Sequence, residues 1–282
     1  MPVIHRLVEK RRIENKFATE LSLLNGENPS KSDHTSIIHF SLNKSATQYV
    51  KRIFCALIKE SEMVPVHIQD YAFASKLPYL DTLSVEEMKQ YKHIFKPSGY
   101  LYSVFGGMVK GIDLDQYKVM LMVRDPRDIL VSHYYSWAYS HPEPTSFSSK
   151  YQSFHHKRSQ VQQMTVDEYA FLSWEKVKHV LEQYRDLLLS QNPKVYVTKY
   201  EEMVANFEQW LNNLIHACEL EVSQSRKDLL VQQHYASLPK AENQGSQLRK
   251  GVSGDYKNKL SNETIMFLSE KLSDVLKYYK YA

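Results

Sequence analysis

Residues 36–58 read SIIHFSLNKSATQYVKRIFCALI and fall into three parts. The first part, SIIHF, is short and mostly apolar, which predicts a buried strand. In the third part, from Tyr49 onward, apolar residues recur at i, i+3, i+4, i+7 and i+8, the period of an amphipathic helix. Lys44 therefore lies in a turn between a strand and a helix N-terminus, where unpaired N–H groups and the helix dipole favour an anion.

A second strand, loop and helix follow later in the chain. Residues 119–123, VMLMV, form the continuous apolar run that is typical of a parallel strand buried on both faces. The run ends at Arg124. Asp125 is suited to cap a following helix, Pro126 to occupy its first position, and Asp128 to lie in its first turn.

The remaining elements are predicted from the same periodicities and from capping residues. In chain order they are a helix at 4–24 that Gly26 ends, a strand at 63–69, a helix at 84–91, a strand at 93–97, a helix at 165–189, a strand at 194–200 and a helix at 206–218. This alternation predicts an α/β fold, with a P-loop-like, mostly parallel central sheet flanked by helices on both faces. We expect one domain over residues 1–282, with residues 1–30 as a peripheral N-terminal helix packed on the core rather than a docking arm.

The composition is that of an ordinary globular protein, since 43% of the 282 residues are hydrophobic and 24% are charged. A net charge of +4 suits an anionic small ligand but falls short of a dedicated nucleic-acid surface. Cys55 and Cys218 lie in apolar helical patterns, so we expect buried thiols, a reducing compartment and no disulfide. No run of eighteen apolar residues and no signal-peptide core occur, which favours a cytoplasmic protein without a membrane partner.

Four polar residues lie at predicted strand ends: Lys44, Lys96, Arg124 and Tyr200. Ligands of open parallel sheets bind beyond the carboxyl ends of the strands, so we expect a site where these residues meet. In the loop LNKSATQ (42–48), side-chain donors are supplied by Lys44, Ser45, Thr47 and Gln48. The Walker A spacing GxxxxGK[ST] is absent, which argues against a magnesium-nucleotide kinase.

Three segments in the same order resemble the signature motifs of the cytosolic-type sulfotransferase family. SLNKSATQY (41–49) is similar to the family's phosphosulfate loop, which reads like PKSGTT. VRDPRDILVS (123–132) is similar to its 3′-phosphate motif, with arginine and serine eight positions apart, and RKGVSGDYK (249–257) resembles its C-terminal motif. The resemblance implies a sulfotransferase that moves a sulfuryl group from 3′-phosphoadenosine 5′-phosphosulfate (PAPS) to an acceptor and releases 3′-phosphoadenosine 5′-phosphate (PAP).

The resemblance also implies a role for each matching residue. Lys44 would bind the 5′-phosphosulfate and stabilise the bridging oxygen, and the cradle around it would be completed by Ser45, Ala46, Thr47 and Gln48. The 3′-phosphate would be held by Arg124, Ser132, Arg249, Lys250 and Gly251. Tyr200 would lie beside the adenine, and Tyr49 takes the place where the family usually has a tryptophan stacked on it. Asn43, Ala46 and Gln48 replace the usual proline, glycine and threonine, which reshapes the loop without removing its charge.

The base that deprotonates the acceptor is harder to assign. The family's usual base is a histidine two positions beyond a lysine, but here Lys96 is followed by Ser98. His67, near the end of the strand after the phosphate-loop helix and close to Asp70, is our preferred substitute, and His93 is the alternative. The predicted catalytic residues are thus Lys44, His67 and Lys96.

Residues 138–160 are polar, contain two prolines and are weakly periodic, which suits either a lid on the acceptor side or an ordinary surface loop. His141, His155 and His156 lack the spacing of a metal site, and no metal is expected. Two other functions remain open: a P-loop-like small-molecule phosphotransferase, and a noncatalytic nucleotide-binding or nucleic-acid-binding module. The acceptor is expected to be a small molecule with a hydroxyl or amine, its identity and the oligomeric state being left open.

Overall fold

The computed structural model describes residues 3–75, 77–143, 151–239, 241–245 and 249–282. Within them, five strands form one sheet, and every pairing is parallel. The strands are β1 (Ile37–Ser41), β2 (Val64–Val66), β3 (Tyr100–Phe105), β4 (Lys118–Val123) and β5 (Tyr196–Lys199). Their order across the sheet is β2-β3-β1-β4-β5. The predicted parallel sheet is confirmed, and its carboxyl edge collects the loops that follow all five strands.

Fourteen helices accompany the sheet in the described part of the chain. They are α1 (Val3–Lys16), α2 (Ala18–Leu24), α3 (Thr47–Leu57), α4 (Ile68–Ala74), α5 (Val85–Met88), α6 (Pro126–Tyr135), α7 (Tyr151–Gln162), α8 (Val166–Gln183), α9 (Tyr200–Ala205), α10 (Phe207–Ala217), α11 (Gln224–Ser237), α12 (Tyr256–Lys259), α13 (Asn262–Lys271) and α14 (Ser273–Tyr278). Short 3-10 turns lie at Leu80–Thr82, Lys92–Ile94 and Leu114–Gln116, and π-helical segments at Ser136–Ser140 and Tyr184–Leu189. None of these described helices is both long and apolar enough to cross a membrane.

Helices cover both faces of the sheet because alternate strand residues point to opposite sides. Ile38 and Phe40 pack with the face that α6, α8, α13 and α14 cover, whereas Ile37 and Met120 pack with the face that α3, α9 and α10 cover. All four side chains are fully buried. The flanked sheet that the alternating elements predicted is therefore confirmed.

The helix starts follow the capping residues in the sequence. The Asp125 side chain accepts from the Arg127 N–H, and Pro126 is the first residue of α6. Thr165 and Glu168 form a complete capping box at the start of α8. These local signals placed both helices correctly because a cap is decided by residues within one turn.

The strand predicted at 93–97 is wrong. Lys92–Ile94 is a 3-10 turn, and the strand begins only after Gly99, which has a φ of +88°. Pro97 O accepts from the N–H of Ser36, the residue before β1. Lys96 therefore lies near the amino edge of the sheet and not at the end of a strand. Its apolar neighbours are buried in the core, which made the segment resemble a strand.

Four other predictions need correction. The helix at 4–24 is two helices that break at Phe17, although the buried Leu23 of α2 does pack on the core as expected. The strand at 63–69 is only three residues long and gives way to α4. In the segment 138–160, residues 144–150 lie outside the described part, but 151–160 belong to α7 and are not an irregular loop. Both cysteines are free, as expected, but only Cys218 is fully buried.

Candidate active site

The turn between β1 and α3 has a backbone shape that few side chains favour. Lys44 and Ala46 are both left-handed, with φ values of 75° and 57°. The Ser45 N–H and the Thr47 hydroxyl both donate to Leu42 O, over 3.1 Å and 3.3 Å. No side chain caps the N-terminus of α3. The first N–H groups of the helix are thus left for a ligand, as an anion site requires.

The Lys44 ammonium lies at the carboxyl edge of the sheet. Its Nζ donates to Ser136 Oγ over 2.8 Å, at the start of the π-helical segment after α6. Burial, and to a smaller extent the charge of Arg124, lowers the pKa of Lys44 to about 8. Two cations that repel one another at a strand edge are suited to bind a ligand with more than one negative charge.

Arg124 connects the separate parts of this edge. One guanidinium nitrogen donates to Lys44 O over 2.8 Å, and another to Val252 O over 3.5 Å. The guanidinium also lies 4.0 Å from the ring centroid of Tyr200, the first residue after β5. Only 7% of Arg124 is exposed. One side chain therefore contacts the phosphate loop, the last strand and the C-terminal segment.

Ser132 and Tyr200 lie on helices that start at the same edge. Ser132 is half-buried on α6, about two turns beyond Arg124. Tyr200 is the first residue of α9 and is almost fully buried, which raises the pKa of its phenol. The structure thus brings together Lys44, Arg124 and Tyr200 as the strand ends predicted.

The predicted phosphate-binding residues 249–251 reach this edge from the C-terminal part of the chain. Arg249 forms salt bridges with Glu242 and Asp255. The Lys250 ammonium contacts Asp255 over 2.7 Å. Gly251 has a φ of 67°, which glycine adopts without strain. Both cationic side chains are thus paired with carboxylates of their own segment.

Asp128 fastens this C-terminal segment to α6. Its two carboxylate oxygens accept from the N–H groups of Gly254 and Tyr256, over 2.6 Å and 2.9 Å. Asp128 is 1% exposed, and Arg124 lies 3.7 Å from one of its oxygens. The aspartate that the sequence placed in a first helical turn thus also holds a loop more than a hundred residues away.

Unpaired donors mark where an anion fits. In the described part of the chain, Ser45 Oγ and Arg124 Nε are buried without a hydrogen-bond partner. Buried polar groups are nearly always paired, so two unpaired donors beside one helix N-terminus indicate a ligand that accepts hydrogen bonds. The residues present therefore fit the phosphate and phosphosulfate groups of PAPS.

The two remaining loop residues differ in their surroundings. Gln48 is exposed on the first turn of α3. The Tyr49 hydroxyl contacts His234 Nδ1 over 2.7 Å, and the His234 ring stacks on Phe207 at 3.8 Å between centroids. Burial raises the pKa of Tyr49 to about 12. Tyr49 is thus fixed within a mostly buried aromatic cluster with His234 and Phe207.

His67 lies directly after β2, but its contacts lead away from Lys44. Its Nδ1 is 3.2 Å from Ser103 O, and its Nε2 is 4.0 Å from Cys55 Sγ. Burial, followed by the charge of Lys51, lowers its pKa. Asp70 is close enough to act against this shift, as its position in the sequence predicted, but its carboxylate forms a salt bridge with Lys51.

The other two predicted catalytic candidates lie elsewhere. The Lys96 N–H donates to the Tyr102 hydroxyl over 2.7 Å, upstream of β3. His93 Nε2 is 3.1 Å from Leu24 O, at the end of α2. The structure therefore does not bring either residue to Lys44.

Sequence reasoning missed two histidines whose pKa responds to Lys44. Burial, followed by the charge of Lys44, lowers the pKa of His133 to about 3 and that of His141 to about 4. His141 Nδ1 is 3.5 Å from Ser136 Oγ, the hydroxyl that accepts from Lys44. The sequence places His141 in the segment 138–160, a lid or surface loop, without metal-site spacing. Its approach to Lys44 depends on the π-helical segment 136–140, which no sequence pattern predicts.

Among the described residues, no three His, Cys, Asp or Glu side chains converge as metal ligands. The groups around Lys44 are cations, hydroxyl groups and backbone donors. These groups are suited to hold anionic oxygens and to stabilise negative charge that develops on them.

Comparison with known proteins points to one family. Residues 34–279 match the family model described as the sulfotransferase domain. The chain is 22% identical to sulfotransferase 1E1 of Cavia porcellus over 236 residues, which cover 76% of this chain and 74% of that protein. It is 28% identical to sulfotransferase 1 family member D1 of Mus musculus over 156 residues, about half of each protein.

Solved structures show the same fold. The crystal structure of mouse sulfotransferase SULT7A1 complexed with PAP gives a TM-score of 0.56 at 16% identity, covering 90% of this chain and 89% of that one. The crystal structure of retinol dehydratase in a complex with retinol and PAP gives a TM-score of 0.53 at 14% identity. The match covers 91% of this chain and 84% of that one. At this identity the similarity concerns the path of the chain alone.

Proposed function

Because the chain belongs to the sulfotransferase family, we propose that the carboxyl edge of its sheet binds PAPS around Lys44 and Arg124 and transfers the sulfuryl group to a small-molecule acceptor. The protein is a PAPS-dependent sulfotransferase. The observation that supports this placement is the position of Arg124, which donates to both Lys44 O and Val252 O. It joins three segments that resemble the family's three motifs.

The similar structures support the choice of ligand. SULT7A1 and retinol dehydratase were both crystallised with PAP. PAP carries two phosphates, and this edge offers a helix N-terminus with a lysine and, separately, a buried arginine. We assign the 5′ side of the nucleotide to the Lys44 loop and the 3′-phosphate to Arg124 and Ser132.

Lys44 is the main catalytic cation in this proposal. When bound, PAPS supplies an activated sulfuryl group and a nucleotide that leaves with negative charge. The Lys44 ammonium stabilises that charge at the bridging oxygen, and the N–H groups at the start of α3 hold the neighbouring anionic oxygens. Its bond to Ser136 Oγ fixes the long side chain at the mouth of the loop, which reduces the entropy lost when a ligand binds.

The remaining predicted residues take supporting roles. Tyr200 stacks on the Arg124 guanidinium and keeps its plane fixed for a phosphate. Arg249, Lys250 and Gly251 close over the same phosphate when the carboxylates of Glu242 and Asp255 release the two cations. Tyr49 presents an aromatic surface for the adenine. His67 stays a prediction as the base, and Lys96 stays a prediction as a catalytic residue.

We further propose that the acceptor is a small molecule with a hydroxyl or amine and that the protein acts in the cytoplasm. Retinol, present in one similar structure, is an alcohol of this kind. The free thiols of Cys55 and Cys218 suit a reducing compartment. Nucleic acid is not a partner in this proposal, because binding is assigned to a nucleotide-sized site at the strand ends.

Two measurements test the proposal. PAP should raise the melting temperature of the protein, whereas ATP with Mg²⁺ and a single-stranded oligonucleotide at the same concentrations should raise it much less. Lys44→Ala should lower turnover by about 100-fold to 1,000-fold. Lys59→Ala, which removes an exposed lysine beyond the end of α3, should leave it unchanged. Near-normal turnover of Lys44→Ala with bound donor would reject the catalytic role of Lys44.

A further inference from the structure

A continuous polar contact runs from Lys44 to a histidine. Lys44 Nζ donates to Ser136 Oγ over 2.8 Å, and Ser136 Oγ is 3.5 Å from His141 Nδ1. The three groups come from the β1–α3 loop, the start of the π-helical segment 136–140 and the residue directly after it. A histidine thus lies next to the cation that is assigned to the transferred group.

The His141 imidazole is held in place from both sides. Its ring stacks on Trp137 at 4.4 Å between centroids with 23° between the planes, and it lies 6.0 Å from Phe154 of α7. The backbone is held as well. The backbone N–H of His141 donates to the backbone O of Ser136 over 2.6 Å, and the Arg158 guanidinium donates to the backbone O of His141 over 2.6 Å. The ring orientation is therefore set by contacts with two elements, as expected of a residue with a fixed task.

The charges around His141 keep it neutral. Lys44 approaches from the phosphate loop, and Lys157 and Arg158 approach from α7. Glu143 is the nearest carboxylate along the chain. Its Oε1 lies 2.7 Å from His155 Nε2, so this carboxylate pairs with His155 and not with His141. Burial and the three cations lower the pKa of His141 to about 4. At neutral pH the ring therefore has a free lone pair and can accept a proton.

We propose that His141 is the general base that accepts the proton of the acceptor hydroxyl. This inference rests on the proposed function. The Nδ1–H of His141 donates to Ser136 Oγ, which leaves Nε2 to take the proton as the acceptor oxygen forms its bond to sulfur. The bond between sulfur and the bridging oxygen breaks, that oxygen keeps the electron pair, and Lys44 stabilises the resulting charge. His141 then returns the proton to water.

Other histidines near the sheet are placed less well for this step. His39 Nδ1 contacts Ser103 Oγ inside the core, and the residue is fully buried. Both ring nitrogens of His67 face Ser103 O and Cys55 Sγ, and neither contacts Ser136 or Lys44. His133 responds to Lys44, but its ring lies edge-on against Tyr169 and is more deeply buried than that of His141.

The first test measures protonation rather than turnover. Ring signals of the histidines are followed by NMR between pH 3 and pH 8, with and without saturating PAP, and His141 is assigned from the spectrum of His141→Gln. The negative charge of PAP beside Lys44 should raise the pKa of His141 by at least about one unit. The pKa of His67, whose ring contacts Ser103 O and Cys55 Sγ instead, should change much less. An unchanged His141 pKa in the PAP complex would overturn the proposal.

The second test separates catalysis from binding. His141→Gln should lower kcat by about 100-fold or more, with the Kd for PAP within a few-fold of the unmodified enzyme. His155→Gln serves as the matched control and should leave both constants unchanged. Equal losses of kcat and of PAP affinity in His141→Gln would show that His141 has only a structural role. If His67→Asn lost all turnover while His141→Gln kept a normal kcat, the base would be His67. Failure of PAP to bind the unmodified protein would instead reject the proposed function.

Discussion

Lys44 combines two features that each cost stability. Its backbone is left-handed, with a φ of 75°, and its ammonium is partly buried beside the cation Arg124, which lowers its pKa to about 8. Strained backbone and shifted pKa values occur together mainly at functional sites, where binding of a ligand offsets the lost stability. The lysine is thus prepared for an anion that the folded chain itself does not supply.

The pH dependence of turnover should report this pKa. Lys44 is charged below about pH 8 in the free enzyme and neutral above it, so kcat/KM should fall as the pH rises through this value. The profile of kcat should fall at a higher pH, because the anionic donor favours the charged lysine in the complex.

Lys44→Arg distinguishes this residue from other titrating groups. An arginine stays charged throughout the range, so the descending limb of kcat/KM should move up by at least about one pH unit, although the different shape of the side chain lowers turnover. The acceptor in this assay should be an aliphatic alcohol, which does not itself ionise between pH 6 and 10. An identical descending limb in both proteins would mean that another group controls it.

At the scale of the element, four strands end in the same way. β1, β2, β4 and β5 each lead within a few residues into α3, α4, α6 or α9, so one edge of the sheet carries four helix N-termini. Of these, the starts of α3 and α6 could be predicted from the sequence, because apolar runs, periodicity and caps are local signals. The sheet, its covered faces and the meeting of Lys44, Arg124 and Tyr200 all followed from such signals.

β3 could not be found in this way. Its sequence, YLYSVF, has no alternation because the strand is almost entirely buried, and the apolar residues just before it suggested a strand seven residues too early. What ends that segment is Gly99, where a side chain would lie 2.3 Å from Ser30 Oγ. That contact joins residues about seventy positions apart and leaves no local pattern.

The start of α3 provides a test at this scale. Ala46 is the N-cap and is left-handed, with a φ of 57° and a ψ of 25°. A β-branched side chain is especially unfavourable in this conformation, so Ala46→Val should lower the free energy of unfolding by about 1–3 kcal/mol. Ala46→Gly should change it by less than about 1 kcal/mol, because relief of strain in the folded state is offset by greater freedom of the unfolded chain.

Ala236, exposed on α11, gives the matched pair of substitutions in a right-handed helix. There glycine should be worse than valine, since glycine is the poorer helix former by a few tenths of a kcal/mol. Chemical denaturation of the four variants should therefore give opposite orders of glycine and valine at the two positions. The same order at both would contradict the left-handed N-cap.

At the scale of the whole molecule, the site depends on contacts between distant parts of the chain. Ser136 and His141 reach Lys44 across about ninety residues of sequence, and the turn that brings them is π-helical, a form with no clear sequence signature. The base was therefore sought on the strands, where the sequence could be interpreted. The chain has to be folded before these neighbours can be recognised.

The C-terminal segment is the part of the site most dependent on such long contacts. Arg127 donates to Tyr281 O over 3.0 Å and lies 4.3 Å from the ring centroid of Tyr256. Asp128 holds the N–H groups of Gly254 and Tyr256, one on each carboxylate oxygen. Together these contacts attach residues 249–257 to the start of α6, beside Arg124.

Asp128→Asn should loosen this attachment with little change in shape. An amide has one oxygen where the carboxylate has two, so one of the two buried N–H groups loses its acceptor and faces an NH₂ group. We expect the free energy of unfolding to fall by about 2 kcal/mol. Limited proteolysis within 249–257 should become faster, and saturating PAP should slow it because the ligand binds the closed segment.

Asp274→Asn is the matched control, since it also removes one aspartate charge but from a partly exposed carboxylate paired with Lys178 and Arg185. Exposed ion pairs contribute little, so its effect should be below about 1 kcal/mol, with unchanged proteolysis near residue 250. Equal effects of the two substitutions would mean that the buried carboxylate of Asp128 does not hold the C-terminal segment. We expect Asp128→Asn to lower the free energy of unfolding more than Asp274→Asn and to speed proteolysis in a way that PAP reverses. That result would show that the contact between α6 and residues 249–257 stabilises the donor site.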